Sequence, residues 1–136
     1  MTPVKAIGAR EARLATIGPL AAAPSAGEGK GPLAGVKVLD LGTVIAGAYA
    51  SAILANLGAA AVKVEGTEGD PWRDYGMGFT AYNRGKRGLV VDLKQEAGRA
   101  LFVDLARKAD VVLDNYRLGV RDRLGIGHAD VTGVNP

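Results

Sequence analysis

Val36-Lys37-Val38-Leu39-Asp40-Leu41-Gly42-Thr43-Val44-Ile45-Ala46-Gly47 is the stretch that decides the fold class. Residues 36–41 form a β-branched and aliphatic run that ends in glycine, the pattern of a buried strand. Thr43 offers a hydroxyl as helix N-cap, and residues 46–57 are alanine-rich and closed by Gly58 at a C-cap position. Outward from this unit, residues 60–65 and 89–93 read as second and third strands, and residues 110–114 as a fourth. Residues 95–108 form an amphipathic helix, with Ala97, Leu101 and Leu105 recurring at i, i+4 and i+8. Residues 66–88 read as a long loop, because Gly69-Asp70-Pro71 and recurrent glycines interrupt any period, and residues from Gly119 onward read as short helical turns. This order predicts an α/β fold, a Rossmann-like parallel sheet flanked by helices with right-handed crossovers. The helix at 46–57 is apolar on nearly every face, so it needs cover from its own sheet and from something further, either more chain or a partner.

A chain of 136 residues matches about one domain, and 48% hydrophobic with 23% charged residues is an ordinary globular balance. Glycine stands out: 20 of 136 residues is about twice the usual share, which implies many tight turns or close backbone approaches. Without cysteine there is no disulfide, thiolate metal site or cysteine nucleophile, and the lone His128 excludes a metal site built on several imidazoles. No metal is expected, and His128 reads as a structural or exposed loop residue. A net charge of +3 is too mild for a dedicated nucleic-acid binder, yet suits an anionic small ligand. No apolar run reaches the ~18 residues of a membrane span. Residues 14–23 imitate a secretory leader but are broken by Gly18-Pro19, so residues 1–32 read as a flexible extension before a domain at 33–136. The absence of cysteine fits a cytoplasmic protein.

In open α/β sheets, ligands bind beyond the carboxyl ends of the strands. Four segments fall there. The first, 42–47, presents backbone N–H groups at a helix start, which suit an anion, and its glycines equally suit a tight turn with close helix packing. It lacks the G-x-G-x-x-G spacing of a dinucleotide site, which argues against a nicotinamide-dependent oxidoreductase. The second contains Glu65, at the position of a ribose-binding carboxylate, with Trp72 and Tyr75 beyond it, able to stack on a ligand or pack a loop. The third is the basic run Asn83-Arg84-Gly85-Lys86-Arg87 with Lys94 after the strand, either a solvated turn or a phosphate contact. The fourth is Asp114-Asn115-Tyr116-Arg117 with Arg121 and Arg123, where an amide, an aromatic face and guanidinium groups coincide.

Read together, the motifs resemble the class III CoA-transferases, the CaiB/BaiF family: residues 33–41, Ala46-Gly47, residues 54–59, Val62-Lys63-Val64-Glu65, Gly69-Asp70-Pro71, residues 83–87, Val91-Asp92-Leu93-Lys94, Asn115-Tyr116-Arg117 and Asp122-Arg123-Leu124-Gly125 keep the family's order and spacing. The resemblance implies that coenzyme A is bound, as substrate and acyl carrier, by Ile45, Ala46, Val91, Lys94, Asn115, Tyr116, Arg117 and Arg123. It implies partners of two kinds, an acyl-CoA and a carboxylic acid, and an interlocked homodimer. It departs from the family at Gly66, where formyl-CoA transferase has an arginine, and at Ala48, Ala60 and Leu118. The family's nucleophilic aspartate, which takes the acyl group from CoA as a mixed anhydride, is expected roughly thirty residues beyond Pro136. The resemblance therefore assigns no catalytic residue to these positions and implies a CoA-binding segment that is inactive alone. An α-methylacyl-CoA racemase-like fragment and a non-catalytic truncated product or assembly partner are the alternatives.

Overall fold

The computed structural model describes residues 30–136, so the extension expected at 1–32 lies, for residues 1–29, outside the described residues. The elements run β1 (Lys37–Asp40), α1 (Ala46–Asn56), β2 (Ala60–Glu65), a 3-10 turn (Pro71–Tyr75), α2 (Met77–Asn83), β3 (Arg87–Val90), α3 (Glu96–Ala106), β4 (Val111–Leu113), α4 (Val120–Leu124) and α5 (His128–Thr132). The four strands form one sheet in the order β3-β2-β1-β4, and every pair is parallel. The chain steps outward from β1 to β2 to β3, then returns to the other side of β1. The strand order thus reverses between β1 and β4, and the expected α/β sheet is present.

Side chains alternate across the strands, so the two faces differ in chemistry. Leu39, Leu41, Val62 and Val64 join Phe102 and Ala106 of α3, with Ile126, in the larger core. On the opposite face Val38 and Ala61 meet Ala55 and Ala59 in a smaller one. α1 approaches this face through Gly47, Ala48, Ser51, Ala52 and Ala55, all buried and small, which lets backbone come close to backbone. Its far side is only partly covered: Ile45, Tyr49, Ile53 and Leu57 recur every fourth residue and remain 40–46% exposed. Cover from the sheet is therefore seen, and α2 supplies part of the second cover expected for this helix: Tyr82 meets Tyr49 edge to face, with ring centroids 5.5 Å apart, and Arg84 just after α2 donates to Asn56 Oδ1 at 3.4 Å.

Beyond the small core, the same sheet face carries buried charge. Lys86 Nζ lies 2.8 Å from Asp40 Oδ2, and its ammonium also donates to the Ala48 carbonyl at 2.6 Å and to Asn83 Oδ1 at 2.9 Å. Lys63 Nζ lies 2.9 Å from Asp70 Oδ2, and Glu65 takes a two-pronged contact from Arg73. Burial pushes the Lys86 ammonium below the usual lysine range, although Asp40 opposes the shift. Burial also works against ionisation of Asp70, yet hydrogen bonds from Lys63, Trp72 and Val44 outweigh it and hold the carboxyl below the usual range.

Three boundaries differ from the sequence reading. Residues 66–88 are not an open loop: Asp70 accepts from Trp72 N–H and Pro71 takes the first helical position, so Asp-Pro opens a 3-10 turn, and Gly76 at φ +52° separates it from α2. β3 spans 87–90 rather than 89–93, because its pairing runs from Val62↔Arg87 to Glu65↔Val90 and β2 ends there. Thr43 does not cap α1, which starts two residues past Val44 with Ile45 in the cap position and no side-chain cap. Gly58, at φ +103°, does stop the helix, and a Cβ there would meet the Lys30 carbonyl at 2.4 Å. No described helix is long and apolar enough to cross a membrane.

Lys86→Met leaves the fully buried Asp40 without its cation and lowers unfolding free energy by about 3–5 kcal/mol in urea titration. Adding Asp40→Asn recovers part of that loss, because the amide carries no charge and still accepts from Gly42 N–H, as Asp40 Oδ1 does at 2.7 Å. Asp70 has the depressed pKa of a paired carboxylate, so its contribution is complete above the ordinary 3.8 and is lost as pH falls through the lower folded value. Asp70→Asn therefore lowers stability at neutral pH and flattens the part of the acid-unfolding curve below pH 3.8, which pH-dependent urea melts measure.

Candidate functional site

The crevice at the β1/β4 reversal is where an open α/β sheet receives a ligand. Its floor is the turn 42–44, and the polar backbone groups of that turn are bound by side chains. Asp40 Oδ1 accepts from Gly42 N–H, and Lys63 donates to the Gly42 carbonyl at 2.6 Å. Asn115, just past β4, accepts from Thr43 N–H at 2.8 Å and returns a bond to the Thr43 carbonyl at 3.0 Å, so its amide closes a reciprocal pair across the reversal. Val44 N–H donates to both carboxylate oxygens of Asp70, at 3.2 and 3.3 Å. The N–H groups of residues 42–44, expected to face an anion, therefore already have protein acceptors. Past the turn, Ile45 and Ala46 are exposed at the lip of α1.

Glycine makes this packing possible. A Cβ on Gly42 would sit 2.5 Å from the Gly47 carbonyl carbon, and one on Gly47 would sit 3.0 Å from Asn115 Oδ1. Turn and helix start are in backbone contact here, so the close-packing role of these glycines is realised.

Beside the lip, Asn115, Tyr116 and Arg117 line the far wall. Tyr116 is half-buried and packs against the larger core; burial, followed by the charges of Asp114, Asp40 and Asp70, pushes its phenol pKa up, so it stays neutral and able to donate. A hollow of about 180 Å³ opens among Asp114, Tyr116, Arg117, Gly119 and Arg121. Arg121 turns back to Asp114 at 3.1 Å, whereas Arg117 is exposed. Arg123, also exposed, lies over Gly119, whose added Cβ would be 3.5 Å from the guanidinium nitrogen.

The structure thus brings together Ile45, Ala46, Asn115, Tyr116 and Arg117, with Arg123 behind them. Val91 and Lys94 stand apart, past the end of β3, two strands from β1 and about 10 Å away at ordinary strand spacing. Val91 is 3% exposed, so its side chain belongs to the core and only its backbone can meet a ligand. Lys94 is exposed on a turn fixed by Lys94 N–H to Asp92 and by Arg99 to the Lys94 carbonyl.

Several residues singled out in the sequence prove structural. Lys86 is buried on Asp40, Glu65 is held by Arg73 and by Asp70 N–H, and Trp72 and Tyr75 stack on each other at 4.1 Å between ring centroids. His128 is exposed at the start of α5. No group of three or more metal-ligating side chains occurs among the described residues. Asp40, Lys63 and Asp70, which hold the turn, were not anticipated; the available signal was the strand Ala60-Ala61-Val62-Lys63-Val64-Glu65, whose Lys63 and Glu65 share one buried face and so require partners.

Comparison with known proteins agrees with this geometry. Residues 33–136 match the profile of CoA-transferase family III. The chain is 42% identical over 115 residues to an acetyl-CoA:oxalate CoA-transferase of Acetobacter aceti, covering 79% of this chain and 30% of that protein. It is 38% identical over 122 residues to a succinate–glutarate CoA-transferase of Agrobacterium fabrum, covering 79% and 30%. Among solved structures, Rv3272 from Mycobacterium tuberculosis superposes with a TM-score of 0.75 at 38% identity, over 80% of this chain and 31% of the other. A CAIB/BAIF family protein from Brucella suis gives 0.75 at 37% identity, over 78% and 31%. The chain spans about three-tenths of the length of these relatives. With its parallel sheet, its residue matches and these superpositions, the chain belongs to CoA-transferase family III.

Proposed function

We propose that residues 33–136 form the coenzyme A-binding segment of a CoA-transferase that moves CoA between an acyl-CoA thioester and a carboxylic acid, with residues 1–32 as an extension. The observation that carries this reading is the distribution of cations at the carboxyl edge of the sheet. Lys63 and Lys86 are paired inside the fold, half-exposed Arg73 is paired with Glu65, and Arg121 is held by Asp114. Arg117 and Arg123 are exposed on the β4 side of this edge and Lys94 past the end of β3, and the three form no ion pair with the described residues. Coenzyme A carries a diphosphate and a 3′-phosphate for such cations, an adenine for the Tyr116 and arginine planes, and amides for the backbone at Ile45, Ala46 and Val91.

The carboxylates near the crevice support binding without turnover. Asp40, Glu65 and Asp70 each hold a cation, and Asp114 accepts from Tyr116 N–H as well as from Arg121. None of these four is placed as a free nucleophile. The apolar row Ile45, Tyr49, Ile53 and Leu57 supports an assembled protein in which α1 is covered, the homodimer implied by the family resemblance, and a cytoplasmic setting fits an acyl-CoA substrate.

Calorimetric titration of the chain with CoA gives saturable binding that weakens as salt rises from about 0.1 to about 1 M. Lys94→Ala and Arg123→Ala each weaken it about three- to tenfold. Lys108→Ala, beyond α3 at the opposite edge of the sheet, leaves it unchanged. Normal affinity in both crevice variants refutes the site.

A further inference from the structure

Among the described residues, Val44 is the single non-glycine residue at positive φ, at +60°. It is also β-branched, the class of side chain that tolerates this conformation worst. Such a residue persists only where its surroundings over-determine it. Asp40, Lys63 and Asn115 hold the two residues before it, and at Val44 itself the hold is one carboxylate: Val44 N–H donates to Asp70 Oδ1 and Oδ2 at nearly equal distances, 3.2 and 3.3 Å. Asp70 is itself immobile, fixed by Lys63 Nζ at 2.9 Å, by Trp72 N–H at 2.8 Å and through its own N–H on Glu65 at 2.9 Å. It lies 26 residues from Val44 in sequence. It is fully buried at the side chain, and so out of reach of a ligand in the crevice.

The residues directly after Val44 are Ile45 and Ala46, the lip of α1. The backbone angle at Val44 therefore sets where the first turn of the helix points. We propose that Asp70 is a positioning residue for the crevice, acting through Val44: its carboxylate holds the left-handed backbone that aims the lip of α1 at the ligand. This rests on the coenzyme A reading above for its ligand, although the holding of the turn does not. Without the carboxylate, Val44 relaxes toward the ordinary negative-φ region and the competent turn becomes a minor state, so the apparent affinity falls by its population.

Two measurements test the proposal. In the unaltered chain without ligand, hydrogen exchange at neutral pH finds the Val44 amide at least about tenfold slower than an unprotected amide. Exchange at the unprotected rate overturns the proposal. In CoA titrations, Asp70→Ala, which leaves Val44 N–H without its acceptor, weakens affinity about tenfold, the factor set by a left-handed L-residue. In a Val44→Gly background the same substitution weakens it less than about twofold, because glycine adopts positive φ without penalty. Equal losses in the two backgrounds, or no loss beside valine, also overturn it, since a merely structural aspartate is indifferent to the residue at position 44. Binding is measured where circular dichroism shows native structure, and if Asp70→Ala does not fold, exchange in the unaltered chain decides alone. Failure of the unaltered chain to bind CoA refutes the coenzyme A reading instead, and the exchange result then still decides whether Asp70 holds the turn.

Discussion

The structure depends on a short piece of irregular backbone, 42–44, whose polar groups are held by side chains drawn from β1, β2, the connection after β2 and the segment after β4. A buried turn cannot leave its N–H and C=O groups without partners, and it lacks the ladder that satisfies a strand. The chain solves this with Asp40, Lys63, Asp70 and Asn115. Two of these are acids and one is a base, all buried, so each needs its own counter-charge. Lys86 supplies it for Asp40, while Lys63 and Asp70 supply it for each other. The buried ion pairs of the α1 face are therefore a consequence of having an irregular turn at the sheet's reversal point. Apolar packing alone would not fix the turn in one conformation.

This arrangement divides the sheet into two regimes. The α3 face is held by ordinary burial of aliphatic side chains and Phe102, which is tolerant of volume-conserving change. The α1 face has only a small apolar patch beside a linked set of charges, where loss of one member leaves another buried and uncompensated. Precision at the crevice comes from the second regime, and bulk stability from the first.

Legibility of the sequence followed the same division. Strand and helix periods reveal where apolar surface goes, so β1, β2, β4, α1 and α3 and the parallel order were readable, as was Gly58 as a helix stop. The crevice was readable in outline, because the carboxyl edge of a parallel sheet is fixed by topology. Contacts between segments far apart in the chain were not. Lys86 looked like one of a run of surface cations, and only its 46-residue reach to Asp40 makes it structural. Asp70-Pro71 signalled a break and is in fact a helix start, since the same two residues serve both purposes. Asn115 was legible as a crevice residue but not as the clamp on Thr43, a bond 72 residues apart.

The half-exposed row on α1 begins at the lip of the crevice. Ile45, which opens that row, is the neighbour of the strained Val44, and from there the row runs along the helix for about 18 Å to Leu57. The helix is a shared wall, with one end at the crevice and its outer flank partly exposed. A contact that buries the flank also closes one side of the crevice.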